Sequence, residues 1–149
     1  MKKNYQEMVY EPRHDGYLLA SHMYKGYEYI IKSYGSHPCC YVNIPPTDIY
    51  YRTNDYDKIP LDVHGGLTYL THEGMRIGNG LYIKGHWIGW DYAHIGDHIE
   101  YNTPPIIPFA ASLDKRWTTK ELISDCRKAI DQLITLNNER KKNVKAKEN

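Results

Sequence analysis

Through most of this chain the apolar residues come in short runs broken by glycine and proline, and only near its end do they recur at helical spacing. Tyr27 to Tyr34 is rich in β-branched and aromatic side chains and reads as a strand. Gly35 to Pro38 breaks it, and Cys39 to Ile44 reads as a second strand stopped by Pro45-Pro46. Met8-Val9-Tyr10 reads as a loosely attached strand in an otherwise polar opening. Thr47 to Lys58 is polar and reads as a loop or a short helix. Leu61 to His64 and Leu67 to Thr71 read as extended pieces flanking Gly65-Gly66, which suggests a tight turn, a bulge or a close backbone approach. Three glycines between Gly74 and Gly80 predict a loop, and Leu81 to Trp90 predicts one strand bent at its two interior glycines. Asn102 to Pro108 holds three prolines and is expected to be irregular.

The clearest element follows. Thr118-Thr119-Lys120-Glu121 has the form of a capping box, with Thr118 as N-cap and Glu121 reaching back to it. Beyond it Leu122, Ile123, Cys126, Ile130, Leu133 and Ile134 share one helical face, predicting an amphipathic helix to about Asn137. Residues 139–149 are charged and almost without apolar side chains, so a disordered tail is expected there. The pattern predicts one α+β domain over residues 1–138, a mostly antiparallel small sheet with the C-terminal amphipathic helix packed on it. Its short connections leave little room for parallel crossovers.

Charge and composition narrow the classes. The 19 basic and 18 acidic residues leave a formal charge of +1, so there is no electrostatic case for non-specific binding to nucleic acid or anionic membrane. No apolar run approaches the roughly 20 residues that cross a bilayer, and Met1-Lys2-Lys3-Asn4-Tyr5 has no apolar core behind it. A cytoplasmic protein is expected. Three cysteines without CxxC spacing predict neither a disulfide framework nor a zinc site. Cys39, Cys40 and Cys126 read as small buried hydrophobes, ahead of a thiol nucleophile paired with His37 or His64. The 15 tyrosines and 3 tryptophans stand against a single phenylalanine. Tyrosine suits half-buried strands, ligand walls and interfaces, and a homo-oligomer would use such a surface.

Two segments gather the residues that carry chemistry. In Asp62-Val63-His64-Gly65-Gly66-Leu67-Thr68-Tyr69, alternation would put Asp62 and His64 on one face. His64 would then serve as general acid or base with Asp62 setting its tautomer, while Gly65 and Gly66 let backbone N–H groups approach an anion and Thr68 and Tyr69 contribute hydroxyls. The competing reading is a tight turn whose His and Asp satisfy each other. In the second segment, Trp87 to His98, the residues Asp91, His94, Asp97 and His98 follow at intervals of three, three and one. On a helical turn they would share a face and suit a divalent metal or a paired acid and base. Capped turns with histidines bonded to nearby backbone are the plainer alternative. Trp87 and Trp90, with Tyr69 and Tyr92, would stack on a base if they are not core, and His37 would face the same cleft. GxSxG and paired HxT or HxS motifs are absent from the sequence.

His37-Pro38-Cys39-Cys40-Tyr41-Val42, then Asp62 to Tyr69, then Trp87 to Asp97 resemble, in that order, a small family of uncharacterised bacteriophage and prophage proteins, over about His37 to Leu136. Members of that family often carry Phe-Asp-Cys where this chain has Trp90-Asp91-Tyr92, so a thiol at position 92 is not needed for any shared chemistry. The resemblance implies a phage setting, hence a host cytoplasm, and a shared site. It supplies no reaction. Together with the His/Asp segments it leads to the expectation of an anti-defence protein that hydrolyses a cyclic or linear nucleotide signal through His64, Asp62, His94, Asp91 and Asp97. A non-catalytic sponge for such a nucleotide and an inhibitor binding a host protein are the alternatives.

Overall fold

The structure, a computed structural model, describes residues 9–10, 16–78, 80–100 and 114–148. Among the described residues seven strands and one long helix are found: β1 (Tyr17–Tyr24), β2 (Tyr27–Ser33), β3 (Pro38–Asn43), β4 (Tyr69–Thr71), β5 (Met75–Gly78), β6 (Leu81–Ile83), β7 (Trp87–Asp91) and α1 (Thr119–Glu148). Five strands form one sheet in the order β1-β2-β3-β7-β4, and β5 pairs with β6 in a separate hairpin. Every named strand pair is antiparallel. This is the expected α+β fold.

Period-two alternation divides the sheet into two buried faces. Tyr29, Ile31, Cys40, Val42, Ile88 and Trp90 point one way and pack with Leu122, Cys126, Ala129, Ile130 and Leu133 of α1. Ile30, Cys39, Tyr41 and Trp87 point the other way and are covered by Met75, Ile77 and Ile83 of the hairpin. Both faces being buried explains why β2 and β3 show no clean period-two alternation of apolar and polar residues. The capping box forms as expected, with the Glu121 backbone N–H donating to Thr118 Oγ1 at 3.2 Å and the Thr118 N–H to Glu121 Oε1 at 3.1 Å.

Several expectations are corrected. The strand β1 had gone unread: Lys25 and Gly26 both take positive φ, 49° and 87°, as a two-residue hairpin turn of the primed type requires. The segment Gly74 to Gly80 is not all loop, because Met75–Gly78 pairs with Leu81–Ile83. Leu81 to Trp90 is two strands, interrupted where Gly85 has φ 136°. Val9 and Tyr10 lie in a turn, with Met8 outside the described residues, as is the proline-rich stretch Asn102 to Pro108. Residues 139–148 are helical rather than disordered. Their Lys, Arg and Glu are good helix formers, so α1 continues past Asn137, its last buried residue, as an exposed polar extension.

Candidate functional site

At the end of β7 the chain makes two turns closed by aspartates. Asp91 Oδ1 accepts the Ala93 N–H at 3.1 Å, an Asx turn. Six residues on, the Asp97 carboxylate folds back so that Oδ2 accepts the His94 N–H at 3.0 Å, and Asp97 N–H donates to the His94 carbonyl at 2.9 Å. Turns, not a helix, therefore set this segment, and the expected shared helical face does not form. His98 leaves the group and lies between Glu100 Oε2 at 2.8 Å and Arg116 at 2.7 Å.

Residues 114–117 run back beside this loop, with Lys115 N–H donating to the Gly96 carbonyl and His98 N–H to the Lys115 carbonyl, each at 2.8 Å. That pairing places Trp117, whose indole Nε1–H donates to Asp97 Oδ1 at 2.8 Å. From the opposite side comes His64, at the second position of the turn that Gly66 N–H closes on the Val63 carbonyl. Its Nε2 lies 2.7 Å from Asp97 Oδ2. Asp97, 5% exposed, thus takes His64 and His94 on one oxygen and Trp117 on the other. Burial alone pushes the Asp97 carboxyl up, but the donors from His94, His64 and Trp117 outweigh it and hold its pKa below the ordinary aspartate value. An ionised carboxylate only accepts, so neutral His64 keeps its proton on Nε2 and its Nδ1 carries the basic lone pair.

The two imidazoles are packed to fixed positions. His64 stacks on Tyr92, ring centroids 4.7 Å apart and planes 6° apart, and meets Trp117 edge-on at 5.0 Å and His94 at 5.4 Å. Gly65, at φ 70°, lets the His94 ring lie against the turn: a Cβ there would be 2.3 Å from the imidazole. His94 Nδ1 is buried and makes no hydrogen bond among the described residues. It faces Asp97 Oδ2 at 3.5 Å and Asp91 Oδ1 at 3.7 Å. Thr68 Oγ1 stands 3.4 Å from Asp91 Oδ2. His37, half-buried with Nδ1 3.0 Å from Ser36 Oγ, has its pKa lowered first by burial, and the charges of Asp91 and His94 both act on it. It belongs to the same neighbourhood.

The structure therefore brings His64, His94, Asp97, Asp91, Gly65, Thr68 and His37 together, and corrects the rest. Asp97, not Asp62, is the carboxylate on His64: Asp62 is exposed and is held through its backbone, which exchanges two 2.8 Å hydrogen bonds with Gln132. Gly66 spends its N–H on the turn, so that amide is not offered to an anion. Trp87 and Tyr69 pack on the hairpin face of the sheet, away from this group. Trp90 is 1% exposed and donates Nε1–H to the Tyr92 hydroxyl at 3.0 Å, so its face is core and not a stacking platform. The Tyr92 hydroxyl in turn donates to Asp125 Oδ2 at 2.7 Å. Cys39 and Cys40 are buried, their pKa values raised by that burial, Cys39 to about 11, which leaves them as thiols and not nucleophiles.

His64 also lines a cavity of about 500 Å³ shared with Asp62, Gly65, Trp117, Asp125, Lys128 and Gln132, and the largely buried Trp90 reaches its wall as well. The motifs read from the sequence do not include Trp117, Asp125, Lys128 and Gln132. Their signal was present: Trp117 precedes the N-cap, and Asp125, Lys128 and Gln132 recur at spacings of three and four beside the apolar stripe of α1. No helix among the described residues is long and apolar enough to cross a membrane. Comparison with protein-family models, with curated proteins and with solved structures finds no match.

Proposed function

We propose that the chain is a hydrolase of a nucleotide or other phosphodiester, with the group around Asp97 as its catalytic centre. One observation carries this: a histidine oriented by a buried, ionised carboxylate opens onto a cavity that also presents a cation and an indole. His64 Nδ1 would take a proton from water, and Asp97 would stabilise the imidazolium that results. Lys128 would meet a phosphate oxygen and Trp117 would offer an aromatic edge to a base. The resemblance to phage and prophage proteins supports a setting in which the substrate is a nucleotide signal of host defence. A protein-binding inhibitor is the second reading, favoured by Leu81 and Tyr82, which are 59% and 53% exposed on the hairpin, apart from the histidines.

A panel of cyclic and linear nucleotides, incubated with the protein and with His64→Ala and read by mass spectrometry before and after heat denaturation, tests the proposal. Conversion by the wild type and not by the variant supports it. A compound that vanishes and returns intact on denaturation shows a sponge. A panel left untouched overturns the nucleotide reading and turns attention to the hairpin.

A further inference from the structure

The cavity that this reading gives to a phosphodiester is poorly charged for one. Asp62 and Asp125 line it beside the single cation Lys128, and His64 ties it to Asp97. Carboxylates facing a phosphate repel it unless a cation stands between them. Side chains beside the cavity can supply that cation's site. His64, His94 and Asp97 each offer one ligand atom, and those atoms lie within 4.8 Å of one another.

We propose that His64 Nε2, His94 Nδ1 and Asp97 Oδ2 bind a divalent transition-metal ion. Ligands held about 2.0–2.2 Å from an ion stand roughly 3–4 Å from each other. His64 Nε2 and His94 Nδ1 are 2.7 Å and 3.5 Å from Asp97 Oδ2, so slight opening of one contact and none of the other makes room. His94 Nδ1 is otherwise unexplained: it is buried, unpartnered among the described residues, and faces two carboxylates at distances too long for hydrogen bonds. An ion turns each of those orphaned approaches into an attraction. The outer contacts are those that a metal centre uses to fix its ligands. Trp117 holds the far oxygen of Asp97, Tyr92 backs the His64 ring, and the bare Gly65 backbone backs the His94 ring.

Two imidazoles and one carboxylate select the metal class. Borderline nitrogen donors suit zinc, manganese, cobalt or ferrous iron, whereas calcium and magnesium call for all-oxygen shells. Three protein ligands leave positions open for a water and a phosphate oxygen, and His64 is the ligand that also lines the cavity. The inference deepens the hydrolase reading and rests on it for its substrate, but the ion's binding is measurable without any substrate. With an ion in place the His64 proton sits on Nδ1 instead of Nε2, which frees Nε2 to ligate beside His94 Nδ1, and water activation passes from the imidazole to the ion.

The test uses the full chain stripped with a chelator and titrated with Co²⁺, followed by visible absorption and by thermal denaturation. A saturating one-to-one visible band, displaced by Zn²⁺, and a melting temperature raised by several degrees are expected. His94 is partly exposed, so His94→Ala should fold, verified by circular dichroism, and lose affinity beyond the roughly 100-fold that outer partners typically contribute. His98→Ala, outside the cluster, should bind as the wild type does. No band and no thermal shift at millimolar metal, or binding that survives His94→Ala, overturns the site. The nucleotide panel, run with and without metal, separates the two proposals. Metal binding without conversion of any nucleotide keeps the site and discards the hydrolase; conversion undiminished by the chelator keeps the hydrolase and discards the site.

Discussion

His64 with His94, and His72 with His86, are two close imidazole pairs at opposite ends of β7, and they differ in everything that surrounds them. The first pair stands beside Asp97 and Asp91, and its His64 lines a cavity. In the second, the rings lie 4.0 Å apart and tilted by 43°, with Tyr51 against His86 at 5.6 Å. His86 is 3% exposed, and neither ring nitrogen makes a hydrogen bond of ordinary geometry among the described residues. Burial lowers its pKa, His72 adds to that, and the Tyr51 backbone offsets only part. The same side chain is thus a packing plate at one end of a strand and a partner of carboxylates at the other. Neighbouring carboxylates make the difference, since a buried imidazole without one stays neutral.

The largest effect expected is on turnover. His64→Ala should lower the rate of whichever reaction the nucleotide panel reveals by about 10²–10⁴, the range that a positioned acid or base contributes. His86→Phe should leave that rate unchanged and hold or raise the melting temperature, because it removes buried polar atoms that are not well satisfied. A matching loss of rate in His86→Phe would erase the distinction between the two pairs.

Next comes the backbone beneath His94. Gly65→Ala forces a Cβ to 2.3 Å from the imidazole and imposes a left-handed conformation on alanine, whereas Gly66→Ala, at φ 81°, meets nothing within 4 Å. Both should lose about 1–2 kcal/mol of stability from backbone strain alone. Only Gly65→Ala should also displace His94 and depress activity and Co²⁺ affinity together. Chemical denaturation beside the visible-band titration separates strain from displacement.

Asp97 gives an effect of similar size that depends on pH. Its folded pKa lies below the ordinary value of 3.8, so the stability it contributes is fully present above that value. It is lost as pH falls through the lowered folded value. Asp97→Asn should therefore be less stable than the wild type by roughly 1–3 kcal/mol near neutrality, with the gap closing below about pH 4. Urea midpoints across that range measure it. Among the described residues no carboxylate is hydrogen-bonded to the His86 ring, and His86→Phe should leave the acid limb unchanged.

How much of this could be read from the sequence depends on the distance over which each feature is determined. The capping box at Thr118, the apolar stripe of α1 and strands β2 and β3 are set by neighbours within a few residues, and all appear where the pattern puts them. Strand β1 escaped because Lys-Gly is a weak turn signal whose meaning lies in two positive φ angles. The site residues His64, His94, Asp91 and Asp97 were legible as types. Their pairing was not, because Asp97 reaches His64 across 33 residues while Asp62, two residues away, points to solvent. Local alternation cannot rank such partners. Nor could it show that Trp87 and Trp90 lie on opposite faces of the sheet, one beneath the hairpin and the other beneath the helix.

The smallest effect sharpens the comparison furthest from the imidazoles. Thr118→Ala removes the side-chain oxygen that accepts the Glu121 N–H at 3.2 Å, a cap whose loss costs about 1 kcal/mol. The residue before it is Trp117, whose indole holds Asp97 at 2.8 Å, so fraying of the first turn of α1 loosens the carboxylate that orients His64. The variant should show a melting temperature lower by a few degrees and a several-fold slower turnover, while His86 at the other end of β7 stays as packed as before. Hydrogen exchange at the backbone amides distinguishes the two ends. Faster exchange at Glu121, His94 and Asp97 with unchanged protection at Ile44, whose N–H is bonded to the His86 carbonyl at 2.7 Å, is the expected result. Equal loosening at both ends would mean that the cap supports the whole sheet, and that the site at Asp97 has no private link to the start of the helix.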